Sequence, residues 1–316
     1  MKIILPGGNG QVGRVLVRAL AADGHECVVL SRRPGAGVAG ARVVGWDGRT
    51  AGPWTAELDG ADAVINLAGR SVDCRYHERN LTEMMRSRID STRAVGAAIA
   101  AAKNPPKVWL QAATATIYAH RYDAPNDEAT GVIGGHEPRV PGLWAKSIAI
   151  ALAWEAEIKA APTPRTRKVI LRSAMTMSPN RGNVFHVLAR HCRLGFGWFG
   201  DGHQYVSWIH EHDFVAAVKW LIAREDLAGA FNLAAPEPLP FREFIGGLRT
   251  ALGTRLSVPV PNWALEIGTM FLRTESELVL KSRRVVPTRL LQSGFNFRYP
   301  QWPAAAAELT ARWRER

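Results

Sequence analysis

Three groups of residues in this 316-residue chain have the types and spacing to do chemistry. The first is Leu5-Pro-Gly-Gly-Asn-Gly-Gln-Val-Gly13, in which Gly7, Gly10 and Gly13 satisfy GxxGxxG while Gly8, Gly10 and Gly13 satisfy GxGxxG. Both spacings describe a phosphate cradle, because glycine there permits a tight turn, close approach of backbone to a pyrophosphate and close packing of a helix on a strand. The free N–H groups of Gln11, Val12 and Gly13 would open that helix and face the anion. The second group is Ser31-Arg32-Arg33. A carboxylate at such a strand end would accept hydrogen bonds from a ribose 2′-hydroxyl, whereas serine followed by two guanidinium groups suits a 2′-phosphate, so the expected cofactor is NADP(H). The competing reading is two solvated loop arginines. The third group is a set of hydroxyls, Thr114, Thr116 and Tyr118, crowded at the end of an apolar run.

Positioning these groups requires strands that end at them and a helix behind the glycines. Lys2-Ile-Ile-Leu5 predicts a strand, Val12 to Leu20 carries apolar residues at helical spacing, and Cys27-Val-Val-Leu30 predicts a second strand. A third, Ala41 to Asp47, would present Asp47 to the adenine edge. A fourth, Asp62 to Gly69, is nearly all apolar and ends in Leu67, Ala68 and Gly69, which leave room for a ribose. The helix expected over Asn80 to Ala102 carries Arg86 and Arg93, read as a solvated face. Lys107 to Tyr118 predicts the fifth strand and Arg167 to Ser173 the sixth, with Arg172 and Ser173 at the turn that would pass the nicotinamide. The fold class is therefore α/β: a Rossmann, doubly wound parallel sheet over residues 1–174 and 207–235, with a smaller mixed C-terminal lobe over 175–206 and 236–316.

Further along, Asn183 to Leu194 reads as a helix leaving the sheet, and Gly195 to Gly200 as an aromatic, irregular segment able to line a pocket. Thr116, His203, Gln204, Trp208 and His210 are the candidate substrate contacts. His210 and His212 would share a face of an extended segment, but a third ligand is lacking and no metal site is expected. Asp213 is expected to cap a helix starting at Phe214. Pro236 to Pro240 reads as a hinge, Phe241 to Leu252 as a helix, Leu256 to Val260 as a short edge strand and Trp263 to Leu272 as another helix.

Taken together, the glycine loop, Ile65-Asn-Leu-Ala-Gly69 and the hydroxyl-ended fifth strand resemble the extended short-chain dehydrogenase/reductase superfamily. Gly200-Asp-Gly-His-Gln204, Trp208-Ile-His-Glu-His-Asp213, Gly229 to Pro236, Arg284-Val-Val-Pro287 and Ser293-Gly-Phe295 narrow the resemblance to the YfcH-like NAD(P)-dependent epimerase family, which has its own small C-terminal domain. The resemblance spans essentially the whole chain. It implies an NADP-type cofactor, a pocket between cofactor and C-terminal domain for a small-molecule substrate, and Thr114 as the residue that hydrogen-bonds the reacting oxygen. It favours the Gly7, Gly10, Gly13 register, with Pro6 where these families usually have threonine.

The departure is the Tyr-x-x-x-Lys pair, whose lysine lowers the tyrosine pKa toward that of a useful acid/base. No tyrosine here has lysine four residues later. With Glu155 as the acidic residue after the motif, the two positions fall on Ser147 and Ala151. Tyr118 is the remaining candidate acid, against a reading in which its ring packs the strand end. Two functions stand: an NADP(H)-dependent oxidoreductase or epimerase, or a cofactor-binding regulator or scaffold without turnover.

Formal net charge is +12. Residues 1–158 hold 18 Lys/Arg and 16 Asp/Glu, a balance of +2, whereas residues 159–316 hold 22 and 12, a balance of +10. No basic run is interleaved with aromatics on one helix face, which points away from nucleic acid. No run of eighteen apolar residues or secretion-signal pattern is present, so a cytoplasmic protein without a membrane segment is expected. The cysteines Cys27, Cys74 and Cys192 lack metal-ligand spacing and read as reduced thiols. Relatives of this class often pair through two long helices, which leaves a homodimer open.

Overall fold

A computed structural model of the chain describes residues 1–138, 140–256, 258–260 and 277–315. Strand β1 (Lys2–Pro6) runs into the glycine loop and helix α1 (Gln11–Ala22), then strands β2 (Glu26–Ser31), β3 (Arg42–Gly45) and β4 (Ala63–Asn66). Helix α2 (Glu78–Ala101), strand β5 (Val108–Thr114), helix α3 (Gly142–Ala160) and strand β6 (Arg167–Ser173) follow. Together with β11 (Gly229–Leu233) these strands form one seven-stranded sheet in the order β11-β6-β5-β4-β1-β2-β3, with every pair parallel. The order reverses between β1 and β4. In a doubly wound sheet the ligand crevice opens there, outside the carboxyl ends of the strands.

The strands are apolar because both faces are covered. On one face Ile3, Leu5, Val29, Ile65, Leu110 and Leu171 pack under α1 and helix α5 (Glu211–Ala223). On the other Ile4, Val28, Val64, Trp109 and Ile170 pack under α2 and α3. Helix α1 turns Gly13, Leu16, Val17 and Leu20 inward, the 3–4 spacing read from its sequence. The outer edge of β11 is closed by side chains: Arg289 donates to the carbonyls of Ala230 and Ala228 at 2.6 and 2.8 Å, and the amide of Asn232 donates to Glu128 at 2.8 Å. An open edge of this kind would otherwise be a template for strand addition.

A third core gathers around the helices downstream of β6 and takes in Trp208 and Ala235 from the 207–235 stretch expected in the Rossmann domain. Helix α4 (Val184–Arg193), helix α6 (Phe241–Leu252) and the helix Trp302–Arg314 enclose Phe185, Leu188, Trp208, Phe241, Phe244, Leu248 and Trp302. Trp302 stacks on Phe244 with ring centroids 3.9 Å apart and meets Trp208 edge-on at 4.9 Å. Short ladders tie the lobe together: β7 (Met175–Met177) with β10 (Trp208–His210), β9 (Tyr205–Val206) with β12 (Leu239–Pro240), and β8 (Phe196–Phe199) with β13 (Val258–Val260).

The start of helix α5 differs from the sequence expectation. Helix α5 begins at Glu211, with the His210 ring accepting the His212 amide at 3.1 Å as its N-cap. Asp213 instead sits inside the helix and accepts the amides of Arg298 and Tyr299 at 2.8 and 2.9 Å, pinning the C-terminal segment. The helix expected over Trp263 to Leu272 lies outside the described residues. Among the described residues no helix is long and apolar enough to cross a membrane.

Candidate functional site

The site is built at the sheet reversal. Gly7 follows β1 with φ +75°, and a Cβ there would lie 2.8 Å from the Cα and N of Ala68 just beyond β4. Gly13 presses α1 against the loop, since a Cβ would come within 2.5 Å of the Gly8 Cα. Gly10 is different: it is exposed, has ordinary backbone angles, and a Cβ would meet only the Gly7 carbonyl at 3.4 Å. Glycine at 7 and 13 thus answers to packing, while glycine at 10 leaves open space beside the start of α1. Gly10 N-caps that helix without a side chain, and the first-turn amides of Gln11, Val12 and Gly13 have no intrahelical acceptor. The Gln11 side chain reaches across to donate to the Gly182 carbonyl, and Val12 packs inward against the sheet core.

Beside this turn lies a cleft of about 630 Å³, walled by Gly7, Asn9, Gly10, Leu67, Ala68 and Gly69 and extending to Ser31, Arg32, Arg33, Trp46 and Asp47. Its geometry fits a dinucleotide: a cradle free of Cβ atoms, unsatisfied amides at a helix start, and an elongated cleft leading to two guanidinium groups. The buried Ser31 hydroxyl accepts from Asn9 Nδ2 and from the Arg33 amide, both at 3.0 Å, so its work is to join the glycine loop to the end of β2. Arg32 and Arg33 are exposed, and neither guanidinium has a partner among the described residues. Asp47 accepts from Thr50 Oγ1 at 2.6 Å and from the amides of Thr50 and Arg49 at 2.9 Å, bonds that hold its carboxyl down at about 2 and keep it an acceptor.

The carboxyl end of β5 presents the hydroxyls. Thr114 and Ser173 are register partners on β5 and β6, both half-buried. Thr114 Oγ1 accepts the Thr116 amide at 3.1 Å, which fixes the rotamer and leaves its own proton to donate. Ser173 Oγ makes one long bond, 3.4 Å, to the Leu171 carbonyl. Thr116 Oγ1 accepts from Arg283 Nε at 3.2 Å.

Several expected site residues are placed elsewhere. Arg172 points to the opposite face of β6 from Ser173, where Nε and Nη2 grip Glu155 at 2.7 and 2.8 Å. Its Nη1 donates to the Tyr118 phenol at 2.8 Å, and the phenol donates to Asn232 Oδ1 at 3.0 Å. Tyr118 is 2% exposed, and burial pushes its pKa up. Both residues are therefore withdrawn from the cleft into a buried network that ties α3, β5, β6 and β11 together. Trp208 is fully buried in the lobe core. Gln204 is buried with its amide on the Phe199 carbonyl at 3.0 Å. His210 is fully buried, stacked on Tyr299, with Nε2 on Glu308 Oε2 at 2.8 Å; desolvation drives its pKa down to about 4. Of the four candidates downstream of residue 200, only His203 is exposed. Among the described residues no group of three His, Cys, Asp or Glu could hold a metal.

The cleft also holds Arg49, for which the sequence offers no signal, and Arg86, which is exposed as expected of a solvated face and at the same time lines the cleft; Arg93 forms a surface pair with Glu157 at 2.9 Å. Trp46 forms part of the wall and packs on Trp54. The spacing of Arg86, four residues from Asp90 and three from Glu83, places all three on one helical face, which could have signalled a shared wall.

Residues 3–234 match the NAD dependent epimerase/dehydratase family, and residues 260–309 match a domain of unknown function, DUF1731. The human epimerase family protein SDR39U1 is 31% identical over 315 residues, covering 98% of this chain and 100% of its own. The epimerase family protein YfhF of Bacillus subtilis is 28% identical over 316 residues, covering 98% of both. A crystal structure of human SDR39U1 with NADPH has a TM-score of 0.84 at 28% identity, covering 98% of this chain and 99% of that one.

Proposed function

The chain belongs to the NAD dependent epimerase/dehydratase family, and from that membership we propose that it is an NADP(H)-dependent oxidoreductase or epimerase, acting at a hydroxyl- or carbonyl-bearing carbon of a small substrate. The observation that carries this reading is the cleft itself, which runs from a Cβ-free cradle at Gly7 and Gly10 to the unpaired guanidinium groups of Arg32 and Arg33. The amides of Gln11, Val12 and Gly13 bind the pyrophosphate, Arg32 and Arg33 the 2′-phosphate, and Asp47 accepts from the adenine amino group. Leu67, Ala68 and Gly69 floor the ribose on the nicotinamide side, with Ser173 across the sheet end. When bound, the nicotinamide supplies two-electron chemistry at its C4. Thr114 donates its free hydroxyl proton to the substrate oxygen and so holds the reacting carbon in place.

A non-catalytic, cofactor-sensing role is the second reading, favoured by Ser147 and Ala151 standing where the resemblance puts tyrosine and lysine. Cofactor choice is tested first. In Arg32→Ala/Arg33→Ala, fluorescence titration should show NADPH binding weakened at least about tenfold, with NADH binding changed less than about threefold, because only the phosphate loses charge-assisted bonds. Equal losses for the two cofactors would remove the 2′-phosphate assignment.

A further inference from the structure

The walls of the cleft carry different charge. The wall built from the ends of β2 and β3 has the guanidinium groups of Arg32, Arg33 and Arg49 against the single carboxylate of Asp47. On the wall supplied by α2 the balance reverses, with Glu83 and Asp90 on either side of Arg86. A phosphate is drawn to the first wall and repelled by the carboxylates of the second. The part of a ligand that faces α2 is therefore an uncharged one. Arg86 is exposed, and among the described residues its guanidinium has neither a hydrogen-bond acceptor nor an ion pair, although Glu83 and Asp90 share its helical face. Its backbone, by contrast, is anchored. The next residue, Ser87, accepts the Arg70 amide at 2.9 Å and donates to the Met84 carbonyl at 3.2 Å, which fastens α2 to the loop leaving the cleft at Gly69. Arg88 is buried against Gly69 itself, where a Cβ would meet its Cγ at 3.4 Å, and lies over the Trp154 ring at 4.9 Å. Two positions along a helix are a rotation of about 200°, so Arg88 supports the floor while Arg86 borders the open space.

We propose that Arg86 positions the adenine base of the cofactor, its guanidinium plane lying on the face of the ring while Arg32 and Arg33 take the 2′-phosphate. This rests on the NADP(H) reading above. Adenine is uncharged, so Glu83 and Asp90 do not oppose it, and their charges hold the guanidinium at the cleft. A guanidinium is planar and weakly hydrated, which suits stacking on the flat face of a base; an ammonium has no plane to offer. Arg86 lies outside both the glycine loop and the arginine pair, and it adds recognition of the base to a site otherwise read through phosphate. Its effect is distinct from theirs. NADPH and NADH share the adenine ring, whereas only NADPH carries the 2′-phosphate.

The test titrates wild type, Arg86→Ala, Arg86→Lys and Arg86→Tyr with NADPH and with NADH, following nicotinamide fluorescence. Arg86→Ala should weaken both cofactors by the same factor, about threefold to tenfold. Its Tm should stay at the wild-type value, because the exposed guanidinium gives up no bond in the folded chain. Arg86→Lys keeps the charge without the plane and should bind as weakly as Arg86→Ala. Arg86→Tyr keeps a plane without the charge and should recover most of the affinity. As a competitor against NADPH, adenosine 2′,5′-bisphosphate should lose the same factor in Arg86→Ala, whereas nicotinamide mononucleotide, which lacks the base, should lose nothing. Rescue by lysine, with the loss confined to NADPH, would make Arg86 a phosphate ligand and overturn the proposal. Unchanged affinity in Arg86→Ala would overturn it as well. Both results leave the cofactor reading standing. If wild-type protein binds neither cofactor, both readings fall.

Discussion

Replacing Tyr118 with phenylalanine separates a structural phenol from a catalytic one. The phenol accepts one charge-assisted bond from Arg172 at 2.8 Å and donates one to Asn232 at 3.0 Å, at a site 2% exposed. Phenylalanine fills the same volume, so no cavity opens. Arg172 keeps both bonds to Glu155, and Asn232 keeps its amide on the Val286 carbonyl at 3.0 Å. What is lost is one partner for Arg172 Nη1 and the partner of Asn232 Oδ1, each a buried polar atom worth about 1–3 kcal/mol when orphaned. The expected destabilisation is therefore about 3 kcal/mol. A chain of 316 residues unfolds with an entropy near 0.7 kcal/mol per degree, so Tm should fall by about 4–5 °C. Glu155→Ala should cost more, about 3–5 kcal/mol, because it leaves the Arg172 cation buried without its carboxylate. Scanning calorimetry gives the order of the two variants, and NADPH titration should give wild-type affinity for Tyr118→Phe. A Tyr118→Phe protein with unchanged Tm and abolished hydride transfer would refute the structural assignment.

The cradle gives a contrasting pair: Gly10→Ala should keep the wild-type Tm and lose NADPH affinity, since its methyl enters the cleft and touches little else. Gly7→Ala should lose both, because φ +75° and the Ala68 backbone oppose any Cβ; equal behaviour of the two variants would count against the packing argument. His210 is neutral when folded, with its pKa lowered to about 4 from a model-peptide value of 6.5. The unfolded chain therefore binds more protons between these values, so stability is lost as pH falls from 6.5 to 4, by up to about 3 kcal/mol. His210→Asn, which can still cap α5, should flatten that part of a Tm-against-pH curve. Thr114→Val should leave NADPH affinity intact and slow single-turnover hydride transfer to a carbonyl acceptor by about tenfold or more; an unchanged rate would remove Thr114 from the chemistry.

Legibility followed how local each determinant is. The glycine loop, β1, α1 and β2 are one contiguous stretch in which spacing alone sets the turn, the helix start and the amide direction, so Gly7 to Gly13 could be read before any tertiary contact was known. The parallel, doubly wound character of the sheet was legible for a related reason, since apolar strands separated by helical segments have few ways to pack. Strand periodicity, by contrast, names two faces without saying what covers them. Trp208 and His210 share one face of β10, and both are buried because the lobe folds its C-terminal helix and Tyr299 over them. Arg172 and Ser173 are neighbours in sequence, yet alternation sends one into the network around Glu155 and leaves the other at the sheet end.

Sequence by itself determined that a glycine turn of dinucleotide-type spacing exists and where the open amides of its helix start lie, because those groups are backbone atoms fixed by adjacent residues. Only the tertiary structure decided which side chains share the space beyond Thr114. Ser147 and Glu277, which are hydrogen-bonded, are separated by 130 positions, and neither carries a local signature. Their meeting depends on α3 and the C-terminal segment both closing over the end of β5. Loss of the Tyr-x-x-x-Lys pair was plain in the sequence; that Ser147, at the tyrosine position, is bonded to a carboxylate of the C-terminal segment had to come from packing.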